Sequence, residues 1–268
     1  MDTERLKGKN VLITGGAQGM GAAVGEHYAA QGANVCLGDI NIEGAREVAD
    51  RINKAGNGRA IAVRLDVAKR ADNDAAVAAT VEAFGSINIA LLNAGINKPL
   101  MFLDITEENW DMIMNINAKG QLFGMQAAAK QMIEQGKDNG PYKIINVGSI
   151  VSRQAFIDVV PYSASKHVTL ALINGGAKAL AEHNITVNGY APGVVRTELW
   201  EQLDKDLVEI GMFEKEGQSM DHLAKTMILM KRYSYPEDIV GTASYLASPE
   251  SDYMTGQLIM IDGGMIMQ

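Results

Sequence analysis

The feature that most constrains this chain is the alternation of two hydrophobic periods along it. Short apolar runs, each long enough for one buried strand, recur at Val11–Thr14, Asn34–Leu37, Ala60–Leu65, Ile87–Leu92, Tyr142–Val147, Thr186–Ala191 and Leu258–Ile261. Longer amphipathic segments with helical spacing separate them. A strand apolar on both faces must be covered on both sides, and a right-handed helical crossover to a parallel neighbour provides that cover. The pattern predicts an α/β fold: one doubly wound parallel sheet of about seven strands with helices on both faces.

No linker or internal repeat divides the sequence, so residues 1–268 read as a single domain, and 28 glycines suit a packed core with many tight turns. The segment 198–234 differs. It is methionine-rich and charged, it lies between a strand and the helix opened by Pro236, and it reads as an inserted helical pair. A mobile lid over a substrate is the expectation for it.

Lysine and arginine number 24 against 32 acidic residues, a net charge of −8 with no basic block, which argues against nucleic acid and anionic membranes as partners. No stretch of 18 uncharged apolar residues occurs, and the first ten residues are charged rather than signal-like. Cytoplasmic residence is the default expectation. Cys36, the sole cysteine, cannot form an intrachain disulfide and reads as a small buried strand residue. The four histidines lack partners at ligand spacing, so no metal is expected. The fifteen methionines read as core filler and pocket wall.

Directly after the first strand comes Thr14-Gly15-Gly16-Ala17-Gln18-Gly19-Met20-Gly21, followed by a helical stretch over Ala22–Gln31. Glycines there let the backbone turn sharply and approach a pyrophosphate, while the helix start offers free N–H groups to the anion. Asp39 stands 18 residues after Gly21, at the end of the second strand, where a carboxylate accepts from ribose hydroxyls and repels a 2′-phosphate. Neither Gln18 nor Ile40 supplies the cation that NADP needs, so NAD is the expected cofactor and the fold a Rossmann type. Asp39 could equally be the N-cap of a helix starting near Ile42.

Tyr162 and Lys166 sit four apart at the start of a helical stretch, on one face. A free phenol has a pKa of about 10, and a nearby ammonium favours the phenolate, so the pair reads as a tuned acid/base unit. Taken alone, the same spacing describes a solvated helix face. Ser149 lacks the Gly-x-Ser-x-Gly elbow of a hydrolase nucleophile.

The turn Thr14–Gly21, Asn93-Ala94-Gly95, Asn117, Ser149 thirteen residues before Tyr162, the Tyr162/Lys166 pair and Pro192-Gly193 occur together in one order. Together they resemble the short-chain dehydrogenase/reductase family from about Leu6 to Gly264. The resemblance implies an alcohol/ketone oxidoreductase in which Tyr162 exchanges a proton with the reacting oxygen and Ser149 polarises it. Lys166 would lower the tyrosine pKa and hold the nicotinamide ribose, and Asn117 would anchor a water chain to solvent. The implied cofactor contacts are Gly15, Gln18, Gly19, Met20 and Gly21 in the turn, Asp39 and Ile40 after the second strand, and Asp66 and Val67 after the third. Asn93, Ala94 and Gly95 follow the fourth, joined by Tyr162, Lys166, Pro192, Gly193, Val195 and Thr197.

Within the family, Ile185–Gly193 and the ending Ser251–Met265 are similar to bacterial acetoin/diacetyl reductases, with polyol dehydrogenases as close competitors. A polyol or a vicinal diol/hydroxyketone is the expected substrate, ahead of a bulkier hydrophobic ketone. The loop after Ser149 departs from diol relatives, since Ile150, Val151 and Phe156 are more apolar than expected there, and Val151, Phe156 and Trp200 are the expected pocket wall. A non-catalytic NAD-sensing protein on the same fold is the alternative of another class. The resemblance also implies a homotetramer, for which the apolar tail Met265-Ile266-Met267 would be a buried or interfacial end.

Overall fold

All seven apolar runs are strands: β1 (Asn10–Thr14), β2 (Asn34–Asp39), β3 (Ala60–Arg64), β4 (Ile89–Leu92), β5 (Tyr142–Val147), β6 (Ile185–Pro192) and β7 (Leu258–Ile261). The computed structural model describes residues 4–267, so positions 1–3 and 268 of the single-domain expectation lie outside the described residues. The strands form one parallel sheet in the order β3-β2-β1-β4-β5-β6-β7. Winding starts at β1, runs outward through β2 to β3, then returns to β4 on the other side of β1. The connections leaving β1 and β4 therefore diverge, and a crevice opens at their C-terminal ends.

The helices are α1 (Gly19–Ala30), α2 (Ile42–Ala55), α3 (Arg70–Phe84), α4 (Glu107–Ile113), α5 (Gly120–Glu134), α6 (Val160–Leu180), α7 (Glu198–Glu209), α8 (Gln218–Thr226) and α9 (Pro236–Ala247). Alternation along β1 shows how they are shared out. Ile13 joins Val35, Ile145 and Tyr190 under Tyr28 of α1, Val48 of α2 and Ile239 of α9. Leu12 points the other way, with Ala90, Ile144 and Val187 under Val77 of α3 and Met125 and Met132 of α5. Successive strand side chains face opposite layers, so each strand binds two helical coats at once. Cys36 of β2 is fully buried, and burial pushes its thiol up to about 11.

Two local features differ from the sequence reading. The cap of α2 is Asn41, whose side chain accepts from the Gly44 N–H at 3.1 Å, and not Asp39. Asp39 stands two positions too early and turns its two oxygens to the Ala17 and Asn41 N–H groups, at 3.0 and 2.9 Å. The first helix begins at Gly19, three residues before the expected Ala22, because the glycine turn itself enters helical geometry and brings its amides to the crevice. Among the described residues no helix is long and apolar enough to cross a membrane, and no group of three or more His, Cys, Asp or Glu side chains is placed to hold a metal.

Candidate active site

One hydroxyl ties the glycine turn to the neighbouring strand end. Thr14 Oγ1 at the end of β1 accepts from the N–H groups of Asn93 and Ala94, at 3.0 and 3.1 Å, and so ties β4 to β1 at the mouth of the crevice. Asn93 returns the tie, its Nδ2 donating to the Thr14 and Gly15 carbonyls at 3.2 and 3.0 Å. Gly15 has φ +70°, and a Cβ there would stand 2.9 Å from Ala94 Cα, so both conformation and space require glycine. Gly21 lies beneath the turn, where a Cβ would meet the Gly15 carbonyl oxygen at 2.0 Å. Its place there lets α1 start against the turn, behind the residues that line the crevice.

The crevice is a cleft of about 340 Å³. Gly15, Gln18, Gly19 and Met20 form its floor, Asp39 and Ile40 one end, Asp66 and Val67 the next wall, and Asn93, Ala94 and Gly95 the wall after β4. A second cavity of about 400 Å³ continues from it, and Met20, Thr197 and Leu199 line both. Pro192, Gly193 and Val195, the loop after β6, face the second cavity, as do Ser149 and Tyr162.

Three further elements bring the four expected catalytic side chains together. Ser149 caps a short 3₁₀ turn, Ile150–Ser152, just past β5, and lines the second cavity together with Tyr162 in the first turn of α6, near enough for its hydroxyl to draw the phenol's pKa down. Lys166, one helical turn on, is buried and lines neither cavity. Its Nζ donates to the Val147 carbonyl at 2.8 Å and lies 5.6 Å from the Tyr162 ring centroid. Asn117 is fully buried in a π-helical turn, Met114–Lys119, between α4 and α5. Its Oδ1 accepts from Ile96 N–H, and its Nδ2 donates to the Ile96 carbonyl and to Ser165 Oγ, at 2.8, 2.8 and 3.1 Å. That side chain clamps the loop after β4 onto α6. An ideal Cβ on Gly95 would stand 3.3 Å from Asn117 Oδ1 and 3.7 Å from Lys166 Nζ, so the crevice wall and the buried pair adjoin.

The electrostatics correct one expectation. Burial pushes the Tyr162 phenol up to about 12, against a partial pull from the Ser149 hydroxyl, and burial pushes Lys166 down to about 8. The lysine does not hold the tyrosine below its ordinary value. Both shifts share a cause: the surroundings penalise either charged form, so the pair rests as a neutral phenol beside an amine that loses its proton near pH 8.

Helices α7 and α8 roof the second cavity, whose wall includes Val151, Phe156 and Trp200 as expected. Two buried carboxylates fix the roof, and neither was singled out in the sequence, where both look like solvated charges on a helix. Asp204 accepts from Gly217 N–H and from the Ser219 N–H and hydroxyl, tying α7 to the start of α8. Trp200 Nε1 donates to the same Ser219 hydroxyl at 3.1 Å. Asp206 accepts from Lys98 Nζ at 2.9 Å, joining α7 to the loop after β4. Sequence reasoning also missed Gln121, which donates to the Val147 carbonyl at 3.1 Å beside Lys166. Four residues past Asn117 on the same helical face was the signal that could have found it. At the C-terminal end Ile266 is buried under the second cavity, whereas Met267 is exposed.

The comparisons agree with this geometry. The family model for short chain dehydrogenases matches residues 9–208. A diacetyl reductase [(S)-acetoin forming] of Staphylococcus epidermidis is 38% identical over 96% of this chain and 98% of its own length. A sorbitol dehydrogenase of Cereibacter sphaeroides is 38% identical over 97% of this chain and 98% of its own. A solved short-chain type dehydrogenase/reductase from Mycobacterium marinum superposes with a TM-score of 0.89 at 34% identity, covering 100% of this chain and 99% of that one. With the sheet order, the glycine turn and the Ser149–Tyr162 contact already in place, these matches establish that the chain belongs to the short-chain dehydrogenase/reductase family and is an alcohol/ketone oxidoreductase.

Proposed function

We propose that the chain interconverts a small neutral secondary alcohol and its ketone, with NAD as the redox partner and Tyr162 as the group that gives and takes the proton. The observation that carries this reading is the Tyr162 phenol, which lines with Ser149 a cavity that adjoins the glycine-turn cleft at Met20, Thr197 and Leu199. The names of the relatives, a diacetyl reductase and a sorbitol dehydrogenase, support substrates of this size. NADH incubated with a panel of small ketones tests it: steady loss of the reduced cofactor is expected, and neither turnover nor NADH binding would contradict it.

The residues of the cleft fit a dinucleotide. Free N–H groups at the start of α1 suit the pyrophosphate, and the cleft lining contains no lysine or arginine while it presents the Asp39 and Asp66 carboxylates. That charge pattern supports NAD over NADP. NADH is expected to give a kcat/KM at least tenfold above NADPH, and Asp39→Ala is expected to narrow the gap. A wild-type preference for NADPH would contradict the assignment.

When bound, the nicotinamide supplies or accepts the hydride at the substrate carbon. Negative charge develops on the substrate oxygen at the same time, and the Ser149 hydroxyl and Tyr162 phenol are aimed where that oxygen would lie. In reduction Tyr162 donates its proton to it. Lys166, tied to Val147 and able to lose a proton near pH 8, is placed to restore the proton balance behind the tyrosine. Asn117 keeps α6 and the loop after β4 in register, its side-chain amide engaged with Ile96 and Ser165. A water chain at this point would be held by the neighbouring π-turn backbone and not by the Asn117 side chain.

The roof helices are proposed to act as a lid. Glu198, in the first turn of α7, holds its carboxylate 3.3 Å from an ideal Cβ on Gly19, beside the amides offered to the pyrophosphate. Two anions repel there, so nucleotide binding is expected to displace the start of α7. Limited proteolysis between residues 198 and 234 should slow with NADH and substrate present; equal cutting rates would count against a lid.

A further inference from the structure

The second cavity has a chemistry of its own. Away from Ser149 and Tyr162 its wall is aliphatic and aromatic: Val151, Phe156, Leu203, Leu207, Phe213 and Leu223. Few polar groups share this wall: Asn97, whose Oδ1 is buried without a partner, His222, Thr197, and a pair that is already engaged. Trp200 Nε1 is taken by Ser219, and the Ser219 hydroxyl is taken by the buried Asp204. No lysine or arginine lines the cavity, and Asp158 is its one carboxylate. Asp158 has no ion-pair partner among the described residues, and burial raises its carboxyl above the usual range.

A sugar alcohol placed here would bring more hydroxyls than Asn97, Asp158 and His222 can bond, and each one left unpaired against the apolar wall costs affinity. An alkyl or aryl substituent would gain from every carbon taken out of water. At about 400 Å³ the cavity is in the range that encloses ligands larger than a four-carbon diol, with its inner end reserved for the reacting carbonyl beside the cleft. A substrate carboxylate would find Asp158 and neither lysine nor arginine.

We infer that the substrate of this enzyme is a neutral ketone or secondary alcohol carrying an apolar substituent of four or more carbons, and that Asp158 disfavours anionic substrates such as keto acids. This rests on the oxidoreductase reading above and specifies its substrate class.

Two matched series test it. With NADH and methyl ketones from 2-butanone to 2-hexanone, kcat/KM is expected to rise roughly fourfold per added methylene, the factor for burying one CH₂. In the oxidative direction 2-hexanol is expected to outrun sorbitol. Methyl 4-oxopentanoate is expected to outrun 4-oxopentanoate by tenfold or more, a gap that Asp158→Asn reduces. A flat or falling methylene series, or sorbitol ahead of 2-hexanol, overturns the apolar-substituent claim; an acid reduced as well as its ester, or a gap unchanged in Asp158→Asn, overturns the role of Asp158. Binding is read separately from turnover by Trp200 fluorescence in a Trp110→Phe background, where 2-hexanone is expected to bind at lower concentration than 2-butanone and sorbitol to bind weakest. That order without any NADH oxidation would remove the oxidoreductase reading and keep the cavity assignment, whereas turnover without that order would do the reverse.

Discussion

Tyr162→Phe is expected to lower kcat by roughly 10² to 10⁴ while NADH binds about as tightly as to the wild type. The substitution keeps the ring and its packing and removes only the hydroxyl that contacts Ser149. A positioned general acid contributes about that factor, and the cleft that binds nucleotide is built from other elements. The pH dependence has a definite sign. Reduction needs a proton at the substrate oxygen, and the phenol at about 12 keeps its own across the working range, so Lys166 at about 8 is the first group of the pair to lose one. Because a required proton is lost as pH rises through that value, kcat/KM for ketone reduction should be level below about pH 8 and fall above it. Alcohol oxidation, which must dispose of a proton, should rise over the same interval. The two groups are close enough for the limb to belong to the pair as a unit. Near-normal turnover by the phenylalanine variant would remove tyrosine from the mechanism.

Gly21→Ala is expected to cost about 2 kcal/mol or more in stability and to raise the KM for NADH at least tenfold. The added carbon would overlap the Gly15 carbonyl oxygen, at 2.0 Å, and crowd Asn93 Nδ2 at 2.6 Å. Both neighbours belong to the network that binds β1 to β4, so relief requires the turn itself to open, and overpacking of this kind is penalised in a close-packed site. A glycine elsewhere makes the comparison. Gly241, exposed in α9, has nothing within 4 Å of an ideal Cβ, and Gly241→Ala should stabilise the chain by about 0.5–1 kcal/mol with unchanged kinetics. Chemical denaturation and NADH titration of the two variants measure both effects. Equal behaviour would mean that the turn is looser than its packing implies.

Much of the architecture was legible in the residues because it is written in periods. Leu12 and Ile13 alternate between two helical layers, and seven apolar runs yield seven parallel strands. The candidate catalytic positions were picked out by order and spacing along the chain, and they lie near one another because β4 and β5 end, and α6 begins, at one crevice. What escaped the reading depends on contacts between elements. Asn41 and Asp39 are two apart and both suit a cap; which one caps α2 is decided by where the Ala17 amide lies across the turn. Asp204 and Asp206 belong to a charged amphipathic helix and give no sign in the sequence that α8 and Lys98 will bury them. The upward shift of Tyr162 could not be read from a lysine four residues away, since spacing reports a neighbour's charge but not the loss of water around both groups. Asn117 was identified by its place in the family order, yet its side chain turned out to be a clamp within a π-helical turn, a geometry without a spacing signature.

The central claim, that the two adjoining cavities hold nicotinamide and carbonyl face to face beside Tyr162, is tested most directly by following the hydrogen itself. NADH deuterated at the transferable position of its ring, incubated with a neutral ketone, should give an alcohol carrying a single deuterium on the former carbonyl carbon, at a rate that collapses in Tyr162→Phe. Alcohol formed without the label, or labelled alcohol formed equally fast by the variant, would contradict the account.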